Sequence, residues 1–266
     1  MSREGLQAAA KFRGRVWLTW LVLLGLLIWL FLHLHLDFGY ARQKLPFLLG
    51  IRLTPDGFVQ GAALTLFVTA CSMVCAFLIA LLTAFGRMSS NPIGFGIATF
   101  YASLFRGTPL LVQVLIFYLA LPQVGIVLGA LTAGLLALSL NYGAYLAETI
   151  RSGMMGVPVG QREAGAALGL PRWLIFWKIT GPQALRLIVP PAGALFISML
   201  KDSSLVSILG LWELNFLAQS YARASYHYME MLICAAAIYW MLSIGFELIQ
   251  HRLELRFGRG VETGGR

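Results

Sequence analysis

The sequence predicts an all-α integral membrane protein, and three observations carry that prediction. Hydrophobic residues make up 59% of the 266 and charged residues only 12%, against roughly 25% charged in an ordinary soluble chain. Long stretches, Val16–Leu36, Gly57–Gly86 and Gly107–Ala147 among them, hold no acid, lysine or arginine, and a spanning helix needs about 20 mostly apolar residues. The basic residues cluster in alternate connections between those stretches. So little charge cannot solvate a globular surface. Disordered, collagen-like and disulfide-scaffold classes are excluded with it.

Six helices follow in order, at about 16–36, 58–85, 97–121, 126–150, 187–209 and 229–250. The first follows a basic segment. Its apolar stretch exceeds the ~7–15 residues of a secretory signal and no A-x-A site follows it, so it is expected to remain a span. The turn-like Leu121-Pro122-Gln123-Val124-Gly125 separates the third from the fourth, and Arg106-Gly107-Thr108-Pro109 is expected to break the third near its cytoplasmic end. The fifth carries Lys201-Asp202, and Glu230 and Glu247 flank the sixth.

Orientation follows from the cations. With the N-terminus in the cytoplasm, 14 of the 20 lysines and arginines lie on that side and 4 opposite, which predicts that both termini are cytoplasmic. The asymmetry also accounts for the formal net charge of +9 without nucleic acid, for which no recognition motif is present. Cys71, Cys75 and Cys234 lie in apolar runs without metal or CxxC spacing and read as small buried hydrophobes.

The longest hydrophilic connection, about 151–186, is a cytoplasmic handle. Within it Pro158 suits a helix start, Gly169 a left-handed position after the end, and Pro171 bars continuation. Glu163 falls in the first half, where the helix dipole favours an acid. The side chains of Gly160, Ala164, Gly165, Ala166 and Ala167 are tiny. Such a helix has no large apolar face of its own but lets another surface approach its backbone closely.

Gln161-Arg162-Glu163-Ala164-Gly165-Ala166-Ala167-Leu168-Gly169, followed by Pro182-Gln183-Ala184-Leu185-Arg186 and Pro190, resembles the EAA loop of ABC-importer permeases, in particular the polar amino acid type that serves histidine, glutamine and arginine. Four more stretches agree in order: Gly61–Thr65, Arg106–Gln113, Tyr142–Gly153 and Lys201–Ile208. Gly165 stands where the third alanine of the triplet is usual, and Ser203 where threonine is commoner. The resemblance covers roughly 58–256. It implies a type I ABC importer transmembrane domain with a five-helix core and one extra N-terminal helix. Segment 1–57 would then hold the N-terminal tail, that extra helix and an outward loop. Residues 58–256 would form the permease domain with its coupling loop at about 151–186, and 257–266 a cytoplasmic tail.

The resemblance also implies partners: a dimer of cytoplasmic ABC ATPase subunits, a second identical or homologous permease, and an extracytoplasmic solute-binding protein that delivers the amino acid. Gly160, Glu163, Ala164, Gly165 and Gly169 would couple to the ATPase. The setting would be the bacterial inner membrane. The chain carries no G-x-x-x-x-G-K-[ST] motif, so ATP and Mg belong to the partner, and no cofactor or metal is expected here.

An ionisable residue at membrane depth costs ~2.5–3.5 kcal/mol on insertion scales and signals function. Lys201 and Asp202 either form a mutually satisfied pair that closes a helix contact, or Asp202 faces the pathway and takes an ammonium group, with Ser203 and Ser204 as small polar contacts and Lys201 pairing with Glu148 or a partner subunit. Gln113 suits either substrate contact or a helix–helix hydrogen bond. Arg106 is expected to snorkel to the interface, and Glu148 and Arg151 to form an i,i+3 ion pair. Glu213, Glu230 and residues 226–228 are placed facing outward, where they either receive the binding protein or form a solvated rim. Protease signatures (G-x-S-x-G, HExxH) are missing from the sequence and no residue is expected to be catalytic. The alternative left by composition is an ion-coupled secondary transporter or channel subunit without an ATPase partner. Such transporters often show two matching halves, and no internal repeat is found.

Overall fold

The computed structural model describes residues 3–33, 36–54 and 57–257. His35, Asp56 and all of the expected tail except Phe257 lie outside them. The helices are α1 Arg3–His33, α2 Phe38–Leu48, α3 Gly61–Met88, α4 Pro92–Gly107, α5 Leu110–Leu115, α6 Ala130–Met155, α7 Val159–Ala167, α8 Arg172–Ile175, α9 Gly181–Asp202, α10 Leu214–Ser225 and α11 Tyr228–Phe257. Among the described residues, five segments are long and apolar enough to cross a membrane, and the bent pair that begins with α4 makes a sixth. The six expected spans are therefore present.

Their packing follows from side-chain size. α6 lies at the centre against α3, α4 and α9. Ala76, Ala80 and Ala84 of α3 and Ala133, Ala137, Ala144 and Ala147 of α6 are all fully buried. Inside lipid the hydrophobic effect does not draw helices together, so close backbone approach through small residues supplies the packing energy. α1 stands apart, with every residue from Phe12 to Trp29 exposed. Cys75 is exposed as well, Cys71 and Cys234 are only partly buried, and all three are free thiols, so the expectation that they are buried holds for none of them.

The third span departs most from expectation. Thr108 and Pro109 are extended, because a proline disfavours the helical region for the residue before it, and the chain turns by 103° there. The break follows the 16 residues of α4, so it divides the span instead of clipping its end.

Both connections expected to be loops, 37–56 and 210–228, contain helices. α2, α10, α11 and the start of α3 interlock at one end of the bundle. Gly61, at φ +63, donates its N–H to Trp212 O at 2.8 Å. A Cβ there would lie 2.3 Å from the Leu48 carbonyl oxygen, so only glycine fits. Glu213 caps α10 by accepting from Phe216 N at 2.7 Å, and also accepts from the Tyr239 hydroxyl at 2.7 Å and Thr65 Oγ1 at 3.3 Å. It is 1% exposed, and burial pushes its carboxyl up to about 7 against the opposing pull of the Asn215 and Phe216 amides and the Tyr239 and Thr65 hydroxyls. Glu230 is buried too and accepts from the Asp37 amide at 3.2 Å. Neither acid is exposed as either expectation requires. Both hold the connections down.

Candidate functional site: a broken span and an exposed loop helix

The connection 156–180 lies at the other end of the bundle, between the end of α6 and the start of α9. Pro158 precedes α7 as its cap, one residue before the expected start, and Gly169 is left-handed at φ +75 as expected. Glu163 is the fifth of the nine residues, past the first turn where the dipole is felt. Of those nine, only Gly165 is buried. A Cβ on Gly165 would come within 2.9 Å of Ile179 Cδ1 and 3.0 Å of Ile175 Cγ1. The glycine that departs from the triplet therefore lets α7 lie directly on the turn that follows α8. Gln183 Nε2, at the start of α9, reaches Gln161 Oε1 at 3.4 Å. Gly160, Glu163 and Ala164 are left exposed, beside Leu168 at 78% and Val159 at 58% exposure.

The break in the third span is the second feature. Gln113 is buried, and its Nε2 donates to Phe105 O, Thr108 O and Thr108 Oγ1 at 2.8–3.1 Å. Its Oε1 accepts from Asn141 Nδ2 at 3.2 Å, and the same amide of α6 donates to Phe105 O at 3.0 Å. The unpaired carbonyls that a broken helix leaves in the membrane must be satisfied within the protein, and these two amides do it. Of the two roles open to Gln113 from sequence, the geometry takes the structural one. Asn141 is a residue that sequence reasoning missed. An amide in the apolar run of the fourth span is the signal that could have found it.

Beside the break lies a cavity of about 490 Å³ lined by Thr108, Asn141, Tyr142, Tyr145, Ser198 and Asp202 among others. Asp202 accepts from the Tyr142 hydroxyl at 2.7 Å and is half-buried. Its neighbours divide. Lys201 is exposed and, among the described residues, has no acid within ion-pair distance. Ser203 is buried and donates to its own helix at Leu200 O, 2.7 Å away. Ser204 does not line this cavity. Of the five residues expected along a pathway, the structure therefore brings only Asp202 to this cavity.

Glu148 is not paired with Lys201. Arg87 of α3, Arg106 of α4 and Arg151 of α6 converge on it, Arg106 at 3.4 Å. The i,i+3 pair with Arg151 forms as expected. Arg106 does not simply snorkel, because it also lies over the Tyr145 ring, 5.5 Å from its centroid. One carboxylate thus ties three helices near the loop end.

A multi-pass bundle with a split span, a polar cavity at the split and a short exposed helix at one end defines a membrane permease. The chain belongs to the binding-protein-dependent transport system inner membrane component family, whose model matches residues 76–259. It is thus a permease subunit of an ATP-driven ABC importer and a multi-pass inner-membrane protein. It is 33% identical over 222 residues to the arginine transport system permease protein ArtQ of Bacillus subtilis (strain 168), covering 83% of this chain and 97% of that one. It is 37% identical over 203 residues to the L-cystine transport system permease protein TcyB of the same organism, covering 76% and 86%. The glutamine transport system permease protein GlnP of Escherichia coli (strain K12) is 33% identical over 200 residues, covering 74% and 91%. A crystal structure of an amino acid ABC transporter with histidines superimposes at a TM-score of 0.75 with 35% identity, covering 83% of this chain and 99% of that chain. An inward-facing MetNI methionine ABC transporter, at 20% identity and a TM-score of 0.57, covering 71% and 92%, supports the fold alone.

Proposed function

We propose that this permease moves a polar amino acid inward by alternating access. In this reading two permease subunits form the pathway, each seats its α7 in a groove of a cytoplasmic ATPase, and a solute-binding protein delivers the solute at the opposite, α2–α10 end. Both termini are then cytoplasmic, in keeping with the cation asymmetry. Three relatives named for arginine, L-cystine and glutamine support an amino acid as the solute.

The observation that carries the reading is α7. A helix with one buried residue in nine, and that one a glycine, gains almost nothing from packing inside its own chain. Isolated helices this short are marginal, so its stable form belongs to a partner's surface. Movement of α7 would pass to the bundle through Gly165 on Ile175 and Ile179, and through the Gln161–Gln183 contact to α9. At the far end of α9 sits Asp202, whose carboxylate would take the solute ammonium in the cavity beside the broken span.

The test is to co-express the chain with an ABC ATPase subunit and a solute-binding protein of an amino acid importer from the same genome and reconstitute the complex in proteoliposomes. ATP-dependent uptake of labelled arginine, glutamine or cystine that requires the binding protein is expected. A purified permease that captures no ATPase would contradict the assignment. Asp202→Asn should lower uptake roughly 10–150-fold, the loss expected for a charge-assisted hydrogen bond of ~1.5–3 kcal/mol, with the complex still assembled. Wild-type uptake by that variant would remove Asp202 from the pathway.

A further inference from the structure

We infer that a second cavity, lined in part by the turn that follows Asp202, is an entry station that receives the carboxylate of the solute at Arg223. The inference rests on the amino acid reading above. The 3-10 turn Ser203–Leu209 continues α9 directly from Asp202. Asp202 lines the first cavity. The turn lines a second, of about 540 Å³, whose lining includes Ser204, Ser207, Asn215, Gln219, Ser220 and Arg223.

This second wall is made by a helix with two different faces. α10 buries Leu214, Leu217, Ala218 and Ala222 against its neighbours, whereas Asn215, Phe216, Gln219, Ser220 and Arg223 line the cavity. The spacing 216, 219, 220, 223 is one face of a helix. Asn215 ties this wall to the opposite one: its Nδ2 donates to Ser207 Oγ at 3.1 Å and Ser204 O at 3.4 Å, while Ser207 Oγ donates to Ser204 O at 2.6 Å. Ser204, which sequence reasoning groups with Asp202, belongs to that opposite wall.

The charge on the cavity is uncompensated. Its lining contains one arginine and no acid, and among the described residues Arg223 has no acid within ion-pair distance. A guanidinium offers several donors in a fork that matches a carboxylate, and the surrounding hydroxyls and amides can satisfy the oxygens that remain. The anionic end of a zwitterion fits here, and the cationic end fits at Asp202. Leu110 borders the Asp202 cavity and Leu111 borders this one, so the first turn after the break in the third span forms part of the partition between the two stations. A solute would pass from the cationic to the anionic station when that partition shifts.

The test uses the assembled transport complex with Cys71, Cys75 and Cys234 replaced by alanine and Ser220→Cys introduced on the cavity wall. Thiol modification is followed with a sulfonate-bearing and an ammonium-bearing methanethiosulfonate. The sulfonate reagent should react about 10-fold faster, as a unit charge a few ångströms away dictates, and millimolar L-glutamine or L-arginine should slow it. Arg223→Gln should abolish both the preference and the protection, and Arg223→Lys should keep the preference. Equal rates for the two reagents, or a preference that survives Arg223→Gln, would overturn the cationic station. A preference that depends on Arg223 without protection by either amino acid would overturn its role as a solute site, and uptake in the same proteoliposomes would report separately on the amino acid reading. Loss of assembly in both Arg223→Gln and Arg223→Lys would assign the arginine to a subunit interface and overturn the proposal.

Discussion

α7 and α10 are both short helices that close an end of the bundle, yet they are held in opposite ways. α10 buries four of its residues, is capped by Glu213, and is tied through that carboxylate to Thr65 of α3 and Tyr239 of α11. α7 buries one glycine, has no side-chain cap, and leans on its neighbours through Ile175, Ile179 and one pair of glutamines. The first is a structural clamp that its own chain completes. The second is left unfinished, and its missing contacts are those a partner would supply. Polar residues in a connection can therefore mean opposite things, and burial separates them.

The comparison is sharpest at the clamp, where the largest losses are expected. Gly61→Val would drive a Cβ to within 2.3 Å of the Leu48 carbonyl oxygen and force a branched residue to φ +63. A cost of about 3 kcal/mol or more is expected, read as the largest fall in Tm of the purified complex. Glu213→Ala should come next. It leaves the Phe216 amide and the Tyr239 hydroxyl without their acceptor, for a loss of about 2 kcal/mol.

Glu213 also sets a pH dependence. Its folded carboxyl titrates at about 7 against an ordinary 4.5, so the folded state holds its proton more tightly than the unfolded one. That contribution is complete below about 4.5 and is lost as the pH rises through about 7. Tm should therefore fall between about pH 4.5 and 7 and level off above that, and Glu213→Gln should flatten the profile over that window. An unchanged slope in that variant would assign the dependence to another group.

The smallest effect on stability should come from the other helix. Glu163 is exposed, so Glu163→Lys should change Tm by less than about 0.5 kcal/mol equivalent. If α7 is a partner's ligand, the same substitution should separate ATP hydrolysis from uptake. Normal uptake with normal ATPase retention would break the contrast between the two helices.

What could be read from the sequence follows the same physics. Spans are legible because lipid demands length and apolarity, and both are local. The broken third span is legible from Thr108-Pro109, but its depth is not, because the stretch on either side is equally apolar. α2 and α10 are missed because short helices with polar faces look like loops until a bundle covers their other face. Glu213 and Glu230 look like rim charges for that reason, since the groups that enclose them, Thr65 and Tyr239 for one and the Asp37 amide for the other, are distant in sequence. Around Asp202 the residue type is informative. Its partner Tyr142, 60 positions away, and the division of Ser203 and Ser204 between core and a second cavity depend on how α9 ends in a 3-10 turn.

Hydrogen exchange of the permease, alone in detergent and in the assembled transport complex, tests the central claim most directly. Backbone amides of 159–167 should exchange rapidly in the isolated permease and become strongly protected in the complex, while those of 214–225 should be protected in both. Equal exchange of 159–167 in the two preparations would contradict the account: equally slow, α7 is held by its own chain, and equally fast, no partner holds it.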